Sequence, residues 1–442
     1  MQLKKPVGAS LAVATAGLLG SLPAAPAVAQ EAADWEVDSA LLLYGEADDR
    51  VKDASLMATI RRVLDEDRSY TLDFTVDALT GSTPSGAAPA NTVQTFTSPS
   101  GTSSRRVPAG EIPLDDTFHD LRVALAGNWQ QSLGDSMRWN AGITSSIEYD
   151  YLHLGVNGRL ERDFNLKNTT LFLGAAVGRD EVKPQGGVPI ALSPMQGAIP
   201  GGGDDEGEGG DFQGGGSSKS KDVYDLLFGV TQVVSRRALV ELALSYGRSD
   251  GYLNDPYKIL SVVDPVTGAP VAGPPGSGIN LYLFESRPST RAKQAAFAEW
   301  RYAFDRDSIA LNYRYMTDDW GIRSQTAELR YRWNISDRSY LEPHLRWYTQ
   351  TAADFYRTVL FAGDPLPQFA SADFRLAENQ AYTAGFKFGR RSDRGEFSVR
   401  LEYYHQKGDP SPGAAVGDLA GFPELVPPLD AVIAQFGYKF RF

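Results

Sequence analysis

Asp430-Ala-Val-Ile-Ala-Gln-Phe-Gly-Tyr-Lys-Phe-Arg-Phe442 closes the chain. One register is apolar: Val432, Ala434, Phe436, Tyr438, Phe440 and Phe442. The other is small or polar: Gln435, Gly437, Lys439 and Arg441. Alternation at period two describes a strand with two unlike faces. An ordinary soluble β-protein ends in such a strand when one face meets a core. A membrane barrel does so when one face meets lipid.

The same period runs back through the chain. Leu329, Tyr331 and Trp333 oppose Glu328, Arg330 and Arg332; Phe397, Val399, Leu401 and Tyr403 oppose Arg400 and Glu402; Tyr70, Leu72, Phe74 and Val76 oppose Thr71, Asp73, Thr75 and Asp77. Counting such runs gives about sixteen strands. Between them lie long Gly-, Pro- and Ser-rich segments near 80–117, 181–221, 250–289, 353–378 and 408–428. If the first strand, from Trp35, runs outward, the turns at Asp65, Gly134, Asp163, Ser235, Asp305, Ser336 and Arg391 share one rim, and all are short. Every long loop falls on the other rim. This sorting is the layout of a transmembrane antiparallel up-and-down β-barrel with short periplasmic turns and long extracellular loops. Pro343 lies inside a strand, removes a ladder donor and predicts a bulge.

Lys4 and Lys5, the apolar stretch from Val7 to Leu22 and Ala27-Val28-Ala29 before Gln30 read as a signal peptide over residues 1–29. The apolar stretch is too short to hold a membrane as a helix. Cys is absent, which excludes disulfides and thiolate metal sites. The formal charge of −12 argues against nucleic acid as a partner. An apolar fraction of 42% is too low for a helical membrane protein but suits a barrel, where only alternate residues meet lipid.

The polar registers assign Arg122, Arg159, Glu161, Arg301, Arg314, Glu328, Arg330, Arg332, Arg346, Lys387, Arg400, Glu402, Lys439 and Arg441 to the lumen. A charge facing lipid at the midplane costs ~2–4 kcal/mol, and a lumen of this strand number generally holds water. That set has eleven bases and three acids, so a weak anion preference is expected. Trp129, Phe304, Trp333, Phe388 and Phe442, near strand ends, suit an interfacial girdle.

Several phrases carry a family resemblance: Trp35-Glu-Val-Asp38 with Asp49-Arg50-Val51, Asp77-Ala-Leu-Thr-Gly81, Pro84-x-Gly86-Ala87, Gln94-Thr-Phe-Thr97, Pro113-Leu-Asp-Asp-Thr-Phe118 and Ser146-x-Glu148-Tyr-Asp150-Tyr151. The chain resembles an uncharacterised domain-of-unknown-function family of Gram-negative outer-membrane barrels. The resemblance spans nearly the whole chain beyond the signal segment. It implies a setting beside a small lipoprotein, a thioredoxin-like protein and a flavin transferase, in an envelope redox or metal-linked system. It brings no catalytic residues. The terminal register Phe436, Tyr438, Phe440 and Phe442 is similar to the signal read by the barrel-insertion machinery.

Other candidate sites are weaker. Asp204, Asp205, Glu206, Glu208 and Asp211 sit among glycines; clustered carboxylates attract hard cations, but a solvated loop has the same composition. Asp115, Asp116, His119 and Asp120 gather where a strand meets the outer rim, with His405 and Asp409 at another strand end. Carboxylate–His pairs there could activate water, as in a rim hydrolase, or simply anchor loops. His153 falls on the polar register, away from the lipid face that a membrane lipase would use.

The sequence thus reads as an outer-membrane barrel, a porin-like channel for a small solute or ion rather than an enzyme, with no cofactor. The expected partners are outer-membrane lipid and lipopolysaccharide, the insertion machinery and an envelope lipoprotein. A loop-plugged scaffold is the first alternative.

Overall fold

Sixteen strands close into one antiparallel barrel, in the ring order of the chain itself. This computed structural model describes residues 35–47, 50–97, 104–184, 186–195, 216–408, 416–422, 426 and 428–442, and of residues 115–119 only the backbone. The signal segment 1–29, its Ala27–Ala29 site and the acidic run Asp204 to Asp211 lie outside the described residues. No described helix is long and apolar enough to cross a membrane.

In chain order the strands are β1 Trp35–Glu46, β2 Val51–Val63, β3 Arg68–Pro84, β4 Gln94–Thr97, β5 Ser104–Val107, β6 Leu114–Leu133, β7 Met137–Ile147, β8 Tyr151–Phe164, β9 Thr169–Val182, β10 Lys219–Ser235 and β11 Ala238–Gly251. There follow β12 Ile259–Val263, β13 Tyr282–Phe284, β14 Thr290–Ala303, β15 Ser308–Asp318, β16 Arg323–Asn334, β17 Ser339–Gln350, β18 Val359–Phe361, β19 Asn379–Ser392, β20 Gly395–Gly408 and β21 Leu429–Arg441. Five of these, β4, β5, β12, β13 and β18, stand outside the barrel, within the long loops.

The alternation seen in the sequence becomes two faces. Leu121, Val123 and Leu125 of β6, and Leu171, Leu173 and Val177 of β9, are exposed, whereas Phe172 and Ala176 between them are buried. The exposed apolar register is the outer face. Each large side chain left there gains roughly 1.5–3 kcal/mol on transfer from water to lipid, so this surface is stable only in a bilayer.

The barrel closes between its first and last strands. β1 pairs with β21 from Glu36↔Arg441 to Glu46↔Ala431. Trp35 N donates to Phe442 O at 2.9 Å and Phe442 N to Trp35 O at 3.0 Å, so the terminal residue is itself part of the ladder. The Trp35 and Phe442 rings stack at 6.3 Å, and Phe440 lies 5.9 Å beyond.

Strand lengths follow the sequence with two local corrections. The bulge expected at Pro343 is not formed: Pro343 pairs in unbroken register with Phe386, and Arg330↔His344 and Trp333↔Leu341 keep one register on its other side. Losing one donor removes a bond without requiring an extra residue. Register shifts occur instead at Val233/Ser235 and Gly81/Thr83. At Gly81 φ is +133°, and a Cβ would strike Arg50 O, so only glycine makes that corner.

One end carries only short turns, and the short connections β1–β2, β7–β8 and β15–β16 share the other end with the long loops. There the long loops form a cap. β12 joins β13 antiparallel and β18 in parallel, and β4 pairs with β5. The β3–β6 and β11–β14 loops are rooted six places apart in the ring of sixteen. They nonetheless hydrogen-bond directly: Ile259 N to Ser85 O at 3.1 Å and Ala88 N to Ser261 Oγ at 2.9 Å. Ala362 N reaches Val263 O at 2.8 Å from the β17–β19 loop, and Asp418 N reaches Thr267 O at 2.7 Å from the β20–β21 loop. Loops rooted so far apart around the rim can meet only across the mouth.

Candidate functional site: the lumen and its two ends

The polar register places all fourteen sequence-predicted lumen residues on the face opposite the exposed apolar one, and most of them meet an acid. Arg159 Nε lies 2.8 Å from Glu161, and Arg138 reaches Glu161 at 3.0 Å and Asp163 at 2.7 Å. Arg330 meets Glu328 at 2.6 Å, Arg332 meets Glu342 at 3.2 Å, and Arg400 meets Glu402 at 3.3 Å. Arg122 pairs with Asp77 and Arg301 with Glu299. Lys439 and Arg441 share Glu36 across the barrel seam. Arg314, Arg346 and Lys387 have no ion pair among the described residues. Asp77, Glu299, Glu342 and Glu36 belong to the same wall and were absent from the sequence-derived set, so these four acids halve the basic excess read from that set. The signal was available: each acid lies on the inward parity of its own strand.

His344 links two of these pairs. Its Nδ1 is 2.8 Å from Glu402 and its Nε2 3.3 Å from Glu328, which ties β16, β17 and β20 into one transverse polar row. A second row crosses β7 to β10. Thr144 Oγ1 lies 3.1 Å from His153 Nε2, His153 Nδ1 is 2.6 Å from Asp180, and Lys221 Nζ is 3.2 Å from the other oxygen of Asp180. With Lys221 neutralising the carboxylate, this row acts as a strand-to-strand tie.

Side chains also lie flat on the wall. The Phe172 ring covers Gly229, where a Cβ would strike its Cζ, and the Arg159 guanidinium sits 4.2 Å from the ring centre. Phe172, Ala176, Leu227, Ala243 and Phe297 form an apolar patch on this inner face. The wall is therefore apolar in one sector and charged in the next.

At the turn end the charged sector opens into a vestibule of about 460 Å³. Arg301, Arg330 and Arg332 line it, with Glu299, Glu342, Asn312, Ser308 and Ala310.

At the loop end the cap is packed. Leu260, Val262, Leu283, Leu360, Ala370 and Ala372 form one core, and Phe96, Val107, Met195, Ile259, Tyr282 and Phe284 another. Between the β11–β14 and β17–β19 loops lies a buried ionic group of three bases and three acids. Arg375 bonds Asp255 at 2.7 Å, and its Nε lies 2.8 Å from Asp373; Arg287 bonds Asp373 at 2.8 Å and Glu285 at 2.7 Å. Lys258 donates to Pro84 O. Asp373, Glu285 and Lys258 are each 1% exposed. Burial alone would raise the Asp373 pKa, but Arg375, Arg287 and Lys258 outweigh it and hold the carboxyl well below its ordinary range. Burial lowers the Lys258 pKa and raises that of Glu285. Such a group is costly to break, because each remaining charge would stay buried without its partner.

Most of the rim candidates fall outside what the structure describes. The side chains of Asp115, Asp116 and His119 lie outside the described residues, as does Asp409; Asp120 is buried. His405 pairs with Asp430 at 2.7 Å. Among the described residues no three His, Asp or Glu side chains gather as metal ligands. A furrow of about 1060 Å³ runs over Leu72, Phe74, Leu125, Ile143, Leu154 and Val156. All six belong to the outer register, so it faces lipid and not the lumen.

Residues 8–440 match the family described as Protein of unknown function (DUF3570). The chain belongs to that family. No curated protein matches this DUF3570 member. Among solved structures it is similar to the siderophore receptor PirA from Acinetobacter baumannii, at 10% identity and a TM-score of 0.42, covering 86% of this chain and 54% of that one. It is similar to CdiB from Acinetobacter baumannii at 9% identity and a TM-score of 0.40, covering 92% and 60%. It is also similar to the CymD monoaromatic hydrocarbon channel at 8% identity and a TM-score of 0.37, covering 93% and 89%. The DUF3570 chain thus spans about half the length of the receptor it matches.

Proposed function

We propose that this DUF3570 protein resides in the outer membrane of a Gram-negative bacterium and passes a small solute through its lumen, with the cap holding the outer mouth shut at rest. Lipid and lipopolysaccharide cover its apolar register, and the insertion machinery reads Phe436, Tyr438, Phe440 and Phe442. The observation that carries the reading is the charged sector of the wall. Arg314, Arg346 and Lys387 stand on the inward parity of β15, β17 and β19; none is fully buried and none has an ion pair among the described residues. Charges so placed need water, because burying an unpaired one in an apolar interior is prohibitive. A wet lumen closed at one end by a lid is a passage that requires opening.

A second reading has its own support. The ionic group buried in the cap is what a permanent plug would carry, and a plugged barrel serves as a scaffold for envelope partners such as a lipoprotein. Planar-bilayer recording separates the two. The intact protein is expected to conduct rarely. The cap-loosening variant Asp373→Ala is expected to conduct in steps while keeping heat-modifiable migration. Silence from both folded proteins supports the scaffold.

A further inference from the structure

We propose that the vestibule at the turn end is a binding site for a small polyanion, a solute presenting two or more carboxylate or phosphoryl oxygens. The idea rests on the passage reading insofar as it names the solute class, but the site itself is built from three arginines. Arg301 of β14 pairs in register with Ala310 of β15, and Ala310 with Arg330 of β16. Two strand spacings put the backbones of Arg301 and Arg330 about 9–10 Å apart. Between them stands only the Ala310 methyl group, so the space above it stays open. Arg332, opposite Ser308, completes the third side. The cavity of about 460 Å³ falls within the usual range for small-ligand pockets, roughly 300–1,000 Å³.

Each guanidinium is held by an acid on one edge. Glu299 engages Arg301 through Nε, Glu328 engages Arg330 through Nη2, and Glu342 engages Arg332 through Nε. Each contact uses one nitrogen of a group with five N–H donors. The three side chains line the cavity and are 42%, 44% and 30% exposed, respectively, which leaves their remaining donors accessible to a solute there. Arg332 is further fixed by the Tyr340 ring at 3.8 Å. Glu328 is shared with His344 and does not line the cavity. The lining thus sets the three wall guanidiniums, with Arg236 and Arg237 of the adjoining turn, against two carboxylates, and Arg237 is engaged by Asp305 at 2.6 Å. Acid-anchored guanidiniums with free fork edges are pre-organised for bidentate oxyanion binding.

Isothermal titration of the full-length protein in detergent micelles tests this, with pyrophosphate and citrate as separate probes. The expected result is saturable binding to one site, weakening with salt. Binding of both probes identifies general oxyanion recognition; binding of one identifies phosphoryl or carboxylate preference. The double variant Arg301→Gln/Arg330→Gln is expected to bind at least tenfold more weakly, and Arg338→Gln, on an exposed turn, to bind as before. Ala310→Phe, which keeps every charge and fills the space, is expected to give the same loss, and heat-modifiable migration verifies that each variant folds. Absence of saturable binding by either probe, or unchanged affinity in both the double and the Ala310→Phe variants, overturns the site. Binding without conductance in any variant refutes passage and leaves the site standing. Conductance without binding refutes the site alone.

Discussion

The wall and the cap of this protein are built on opposite rules. Each wall strand shows one apolar and one polar face, and pairs only with neighbours in the ring. The cap strands β12, β13 and β18 are buried on both faces, and two of them pair with a strand from a different loop or meet one across the mouth. Wall stability is distributed over sixteen similar seams. Cap stability is concentrated in a few apolar clusters and one buried ionic group. A single substitution should therefore damage the cap more than the wall.

The largest expected effect follows from that contrast. Asp373→Ala leaves Arg375 and Arg287 buried without their shared carboxylate, at a cost of about 3–5 kcal/mol. Limited proteolysis of intact cells should then cut the β17–β19 loop, while the barrel still migrates as a folded species. Resistance equal to the natural protein would mean that the ionic group does not hold the cap.

The wall should respond according to face and depth. Leu329→Arg, in the middle of β16, is expected to cost ~2–4 kcal/mol, and Arg330→Ser far less. Urea titration of folding into vesicles compares them, and equal losses would show that the two faces are not distinct. Tyr331 donates to Asp307 at the turn, 2.9 Å away, so it lies near the inner interface and not at the midplane. Tyr331→Phe, which removes only that hydrogen bond, should cost less than Leu329→Arg in the same titration. The smallest effect is expected at Arg338–Asp393, an exposed pair between turns, where Asp393→Asn should change stability by under ~1 kcal/mol.

The same contrast explains what could be read in advance. Strands such as β16 and β21 declare themselves because lipid and water demand different side chains at alternate positions. The sixteen strands, the even count and the sorting of loops all follow from that. The cap did not declare itself, since its segments lack an alternating face. Ile259-Leu-Ser-Val-Val263 is a short apolar run bounded by a Lys and an Asp, which is consistent with a strand buried on both sides. Its placement inside a Pro- and Gly-rich loop hid it. The lumen residues were legible one by one. Their partners were not, because Arg122 and Asp77, or His344 and Glu402, meet through strand register and side-chain reach. The vestibule depends on Ala310 being small between two arginines, which emerges only once β14, β15 and β16 are aligned.

Closure of the outer mouth is the central claim, and the absence of Cys makes it directly measurable. Asn312→Cys places one thiol in the vestibule, on the turn side of the cap. A bulky membrane-impermeant maleimide added to intact cells should leave it unlabelled, label it in detergent-solubilised protein, and label it in intact cells once Asp373→Ala is added. Rapid labelling in intact cells with the natural cap would contradict the account.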